Sequence, residues 1–140
     1  MEPTWTFKVN HINELLHKGR DIYNMMQVTG EEGITMEDFI LYHKSLMFDM
    51  VYLQQDAYDP VDVSVSINRQ KIAFNLLYDI IMQENQFKDK TEARNFFIKL
   101  TGLLKNLNYA QLNTDEYNKY LNEIAELTAL SSPEQRKASS

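Results

Sequence analysis

Apolar side chains recur at three- and four-residue steps along most of this chain, the period of a helix that buries one face. The first stripe starts near Val9 and runs through Ile12, Leu15, Leu16, Ile22, Tyr23 and Met26, with Gly19 where another apolar residue would fall. It stops at Gly30, a C-terminal cap residue. Thr35 opens a second helix, with Asp38 three residues on as a variant of the capping box. Phe39, Ile40, His43, Leu46, Met47, Met50 and Leu53 form its stripe, Phe48, Val51 and Tyr52 widen it, and this helix is expected to be the most buried. Two helices joined only by Thr29 to Ile34 predict an antiparallel hairpin.

Between Gln54 and Ser66 the helical spacing fails. Pro60 blocks continuation, while Val61, Val63, Val65 and Ile67 alternate with polar residues. With no second strand to pair with, that pattern reads as an extended loop. Ser66 then caps a third helix carrying Ile72, Ala73, Leu76, Leu77, Ile80 and Ile81. Asp89-Lys90-Thr91 breaks the chain before a fourth, in which Ala93, Phe96, Phe97, Leu100, Leu103, Leu104 and Leu107 keep the helical period. A fifth, capped at Asn113, Thr114 or Asp115, turns Tyr117, Tyr120, Leu121, Ile124 and Leu127 inward and ends at Ser131-Ser132-Pro133. The pattern predicts an all-α bundle of about five helices over residues 1–130, beginning with an antiparallel helical hairpin. Residues 131–140, with Ala138 as their single apolar side chain, are expected to be a disordered tail.

Composition narrows the class. Seven of 140 residues are Gly or Pro, about 5% against an ordinary usage near 12%, which disfavours a fold of many strands and tight turns. The chain has no Cys, so a disulfide frame, a thiol nucleophile and a Cys-based zinc site are excluded. A net charge of −6 opposes binding to a phosphate backbone. The most apolar stretch, Phe39 to Leu53, is interrupted by His43, Lys44 and Asp49 and is shorter than the roughly 20 residues of a membrane span. The N-terminus lacks the basic-then-apolar order of a signal peptide. These features lead to the expectation of a soluble, intracellular, acidic helical protein.

Catalytic motifs are scarce. Gly19, Gly30, Gly33 and Gly102 fit neither Gly-x-Gly-x-x-Gly nor Gly-x-x-x-x-Gly-Lys-Ser/Thr, and there is no Gly-x-Ser-x-Gly or His-Glu-x-x-His. Glu14 and His17 have the Glu-x-x-His step of di-iron bundles, but such sites need two of these steps and further carboxylates. The single step reads as chance spacing. His11 and His43 have no carboxylate placed for a convincing relay and read as surface or core-edge residues.

Two segments stand out from this plain background. The interhelical tip carries Glu31, Glu32, Glu37 and Asp38 within eight residues. The helix dipole accounts for Glu37 and Asp38 in a first turn, whereas Glu31 and Glu32 precede the cap and have no such explanation. The second segment is Leu53-Gln54-Gln55-Asp56-Ala57-Tyr58-Asp59-Pro60-Val61-Asp62.

That segment resembles the Leu-Gln-Gln-Asn-Ala-Phe-Asp…Val-Asp signature near the C-terminus of the catalytic A subunit of V-type and A-type rotary ATPases. Leu53, Gln54, Gln55, Ala57, Asp59, Val61 and Asp62 match, Tyr58 replaces Phe, and Asp56 replaces Asn and receives no role. The hairpin resembles one whose tip in that family reads Gly-Arg-Asp-Ala-Leu-Ser-Glu-Glu-Asp. Downstream, Arg69-Gln70 and the Phe96-Phe97 helix are similar in spacing to bacterial members. The likeness covers roughly Val9 to Leu127, and its specific part is the Leu-Gln-Gln segment.

The resemblance implies a piece of a larger subunit, with a β-barrel and a P-loop nucleotide-binding domain elsewhere and Met1 as an added start. It implies a role in ATP hydrolysis or synthesis coupled to proton or sodium movement, with ATP or ADP and Mg in the parent subunit and no tight nucleotide binding here. Tyr58, Ala57 and Gln55 would lie on the adenine side of the pocket, where an aromatic face stacked on a purine contributes about 1–3 kcal/mol by analogy with nucleic-acid stacking. Glu31, Glu32, Glu37 and Asp38 would face the central shaft. The implied partners are the B subunit and the shaft subunit, in a cytoplasmic assembly peripheral to the membrane. One helix from Thr35 to Leu53, about 28 Å long at 1.5 Å per residue, would link tip and corner as a rigid lever. From the residues alone, a free-standing helical adaptor and a small metal-binding bundle stay open as alternatives.

Overall fold

The computed structural model describes the backbone at residues 3–53, 63–110 and 114–130, and the side chains at 5–52, 70–110 and 114–130. Over these residues the chain is all-α: α1 (Pro3–Thr29), α2 (Met36–Phe48), α3 (Val63–Met82), α4 (Lys90–Tyr109) and α5 (Asp115–Leu130). A 3₁₀ turn, Glu31–Gly33, links α1 to α2, and a π turn, Asp49–Leu53, extends α2. The expected tail at 131–140 lies outside the described residues.

Helix α1 starts earlier than its stripe suggested. Trp5 stands one turn before Val9, and its ring packs on Phe74 of α3 with centroids 4.5 Å apart. Pro3 is tolerated in a first turn, where its missing N–H has no intrahelical partner to lose. Helix α3 also starts earlier, at Val63, so residues 63–66 are helical, and Ser66 lies inside the helix instead of capping it. Val63 and Ile67 are two steps apart in an alternating pattern but also four apart in sequence, a spacing that suits a helix equally well.

Helices α1 and α2 pack along each other as the predicted hairpin. They approach closely at Gly19, where an added Cβ would lie 2.3 Å from Ser45 Oγ and 2.5 Å from Ser45 Cβ. The gap in the apolar stripe at Gly19 is thus a contact point: a missing side chain on one helix admits a short, buried one from the other.

Helix α4 packs across α2 on one side and against α5 on the other. The main core joins Ile12 and Leu15 of α1, Met47 and Phe48 of α2, Phe74 and Leu77 of α3, Phe97, Leu100 and Leu104 of α4, and Ile124 of α5. Burial is shared between α2 and α4, because α4 lies between two neighbours and buries six residues from Ala93 to Leu107. The caps follow local chemistry. Thr35 Oγ1 accepts from the Asp38 N–H at 3.1 Å, Asp89 Oδ1 accepts from Glu92 N–H at 2.8 Å, and Thr114 Oγ1 accepts from Tyr117 N–H at 3.2 Å. Lys44 of α2 closes the far end of α3, donating to the carbonyls of Ile81 at 2.7 Å and Gln83 at 2.8 Å.

The crossing at Gly19 gives a direct test. Gly19→Val is expected to destabilise the chain by about 2 kcal/mol through overpacking, read as a lower urea midpoint. Ser45→Gly in the same chain should recover part of the loss. A midpoint unchanged by Gly19→Val would show that the helices do not approach this closely.

Candidate functional site

The acidic tip is built at the point where the hairpin reverses. Gly30 has φ +80°, a conformation that L side chains rarely adopt, and its N–H still bonds to the Met26 carbonyl at 2.9 Å. The 3₁₀ turn then brings Glu31 and Glu32 to the surface. Ile34 turns inward, 4% exposed, and joins Ile22 of α1, Phe39 of α2 and Ala93 of α4 in a second, smaller core directly beneath the tip.

Two cations from the first turns of α4 close over this small core. Lys90 Nζ donates to the Glu31 carbonyl at 2.7 Å and to the Ile34 carbonyl, and Arg94 forms an ion pair with the Glu31 carboxylate. Both lie over the Phe39 ring, with Lys90 Nζ 5.8 Å and Arg94 Cζ 5.6 Å from its centroid. An ion pair as exposed as this one contributes little by itself. Here it is combined with two carbonyl hydrogen bonds and two cation–π contacts.

Of the four predicted tip carboxylates, Glu31 is therefore tied to α4 while staying exposed at the surface. Glu32 and Glu37 are exposed and enter no ion pair among the described residues. Glu37 and Asp38 lie in the first turn of α2, where negative charge suits the helix dipole. Lys90 and Arg94 escaped the sequence reading, although two cations four residues apart at a helix start, in a chain with an acidic turn, were a visible signal.

His43 sits behind the clamp. Its ring stacks on Phe97 at 5.8 Å with the planes 10° apart and meets Phe39 edge-on at 4.6 Å. Burial first, and the nearby Arg94 charge second, hold this imidazole below its ordinary 6.5, with Glu31 pulling weakly the other way. Burial likewise lowers the Lys44 ammonium to about 8, opposed by Glu84.

The adenine-side residues Gln55, Ala57 and Tyr58 lie outside the described residues. The segment leading to them differs from the straight lever expected. Helix α2 is regular for 13 residues, about 20 Å at 1.5 Å per residue, and then widens into the π turn. Asn108 of α4 donates to the Val51 carbonyl at 3.2 Å, giving one of the loosened carbonyls a partner from outside the helix. Wide turns of this kind often mark functional positions. Among the described residues, no group of three or more His, Asp or Glu is placed to hold a metal ion, and no helix is long and apolar enough to cross a membrane.

The fold and tip define an all-helical domain built on a hairpin whose acidic end is clamped by a third helix. Residues 1–94 match the family described as the C-terminal domain of V and A type ATP synthase, and the chain belongs to that family. It is 38% identical over 120 residues to the V-type ATP synthase alpha chain of Borreliella afzelii (strain PKo), covering 86% of this chain and 21% of that one. To the V-type ATP synthase alpha chain of Borrelia garinii subsp. bavariensis it is 39% identical over 123 residues, covering 88% and 21%. To that of Borrelia duttonii (strain Ly) the identity is 40% over 104 residues, covering 74% and 18%. The chain thus spans about a fifth of the length of these curated relatives. No solved structure matches.

The His43 environment predicts a pH dependence. A folded-state pKa below the unfolded one means that the unfolded chain binds the proton more readily, so the stability due to neutral His43 is present above about 6.5 and lost as pH falls. Urea midpoints measured from pH 7.5 to 5 should fall across this window. The fall should be shallower in His43→Phe, which keeps the ring stacking, and identical slopes in the two proteins would contradict the assignment.

Proposed function

We propose that residues 1–130 are the C-terminal helical domain of the catalytic subunit of an ion-translocating rotary ATP synthase or ATPase. In this reading the domain couples nucleotide turnover in the parent subunit to rotation of a central shaft. Glu32 and Glu37, with Asp38 beside them, face the shaft subunit, while Glu31 contributes mainly by holding the tip in place. Tyr58, Ala57 and Gln55 form the adenine side of a pocket whose phosphate grip and bound Mg belong to polypeptide outside this chain. The B subunit is the neighbouring partner, and the assembly sits at the cytoplasmic face of a membrane.

The observation that carries this reading is the family match over residues 1–94, which includes both the hairpin and the Gln54–Asp62 corner. The clamp supports it mechanically. A tip fixed to α4 passes displacement into the bundle, whereas a loose turn would absorb it. The π turn at Asp49–Leu53 stands directly before the corner, where a change of helix pitch can redirect the chain.

The isolated chain should neither hydrolyse ATP nor bind it with micromolar affinity, because it carries no phosphate-binding loop. Calorimetry showing micromolar binding would contradict the proposal. In the complete subunit, Tyr58→Ala should weaken nucleotide binding by roughly tenfold, the equivalent of about 1.4 kcal/mol of lost stacking. Glu32→Gln with Glu37→Gln should leave nucleotide affinity unchanged and reduce coupled turnover. Unchanged affinity in Tyr58→Ala would remove the adenine-side assignment.

A further inference from the structure

A second surface starts at the tip clamp and runs along the bundle, where α2 and α4 lie side by side and leave an open trough of about 370 Å³. Its α2 wall is His43, Leu46, Met47 and Met50, and its α4 wall includes Arg94, Ile98, Thr101, Gly102 and Lys105. Both sets follow the three- and four-residue steps of a single helix face. Two parallel rows of this kind, separated by a groove, are what a third helix packs into. From Arg94 to Lys105 the trough runs about 16 Å, three turns of helix.

Three features show that the trough is unfilled by the described part of the chain. Ile98 is 62% exposed, a large apolar side chain standing on the rim. Gly102 leaves a notch, since a Cβ added there would meet no atom within 4 Å. Met50 is only half-buried, although it belongs to the α2 stripe.

Charge selects the occupant. The chain carries a net −6, yet this trough is lined by two cations and no carboxylate. Three other surface grooves each include at least one carboxylate: Glu92 in one, Glu37 and Glu84 in another, Glu123 and Glu126 in the third. Arg94 is partly compensated by Glu31, whereas Lys105 enters no ion pair among the described residues. Apolar walls with a cation towards each end complement a helix that has an apolar stripe and carboxylates about three turns apart. We infer that the α2–α4 trough is a docking site for an acidic amphipathic helix of another polypeptide, with Ile98, Met50 and the Gly102 notch receiving its apolar side chains and Lys105 its carboxylate. The trough shares Arg94 with the tip clamp and Met50 with the π turn, but it does not depend on the coupling role proposed for the tip and the corner.

The test uses the complete chain and a synthetic helix of about four turns, with Leu at i, i+3, i+4 and i+7 and Glu near both ends. A control peptide carries Lys in place of each Glu. Titration by fluorescence anisotropy is expected to show the acidic peptide binding at least about tenfold more tightly than the control, with the difference shrinking as salt is raised. Gly102→Leu fills the notch from the exposed side of α4, so it should weaken binding at least about tenfold with a thermal midpoint no lower than that of the unaltered chain, since Leu favours a helix over Gly. Lys105→Glu should narrow or reverse the preference between the two peptides. Equal binding of the peptides, no binding, or a preference unmoved by Lys105→Glu overturns the inference. Two other occupants are also tested, and either result overturns it. Concentration-dependent dimerisation abolished by Gly102→Leu would place a second copy in the trough, and peptide binding that appears only after removal of residues 131–140 would place the chain's own tail there.

Discussion

The hairpin tip is held to the bundle through Phe39, whose ring is 1% exposed and touches every element that meets at that end. Below it lie Ile22, Ile34 and Ala93. Above it Lys90 and Arg94 present their charges to the ring and reach past it to the backbone and carboxylate of the turn. The contacts reinforce one another. Burying Phe39 places α4 against α2, which brings two cations to the turn, and the carbonyl bonds of Lys90 in turn keep Ile34 against the ring. Without this arrangement, a six-residue connection bearing two exposed glutamates would have little reason to keep one conformation.

A second constraint acts half-way along the hairpin. Gly19 lets Ser45 approach so closely that α1 and α2 form a narrow pair, and α4 then crosses α2 to complete the main core. The tip, the His43 ring stack and the π turn lie in order along α2, so all three inherit that spacing. Coupling between the two ends of α2 therefore rests on packing along a short helix whose far end is a wider turn, and not on one long uninterrupted rod.

Much of this was legible in the sequence because the signals were local. The stripes of α1, α2, α4 and α5, the cap at Thr35 and the reversal at Gly30 each follow from residues a few positions apart. The misreadings arose where a local signal admitted two outcomes or where the partner was distant. Val63, Val65 and Ile67 alternate like a strand, yet Val63 and Ile67 also suit a helix. The end of α2 looked regular because its stripe continues to Leu53, while the Asn108 side chain that meets the Val51 carbonyl comes from 57 residues away. Glu31 read as an unexplained surface charge for the same reason: its partner Arg94 is 63 residues distant. The corner at Gln54–Asp62 was legible only through its family resemblance, since no periodicity assigns a stacking role to Tyr58.

The account rests on the tip being one body with the bundle, and amide hydrogen exchange reads this directly. The N–H groups of Gly33 and Ile34 bond only within the turn, to the Gly30 and Glu31 carbonyls, so any slow exchange there reports the clamp from α4. In the intact chain these two amides should exchange nearly as slowly as those of α2. In the double variant Lys90→Met, Arg94→Met they should exchange at least about tenfold faster, equivalent to about 1.4 kcal/mol of lost local stability, while the amides around Leu15 and Met47 stay protected. Fast exchange at Gly33 and Ile34 in the unaltered chain, or protection indifferent to the double substitution, would contradict the claim.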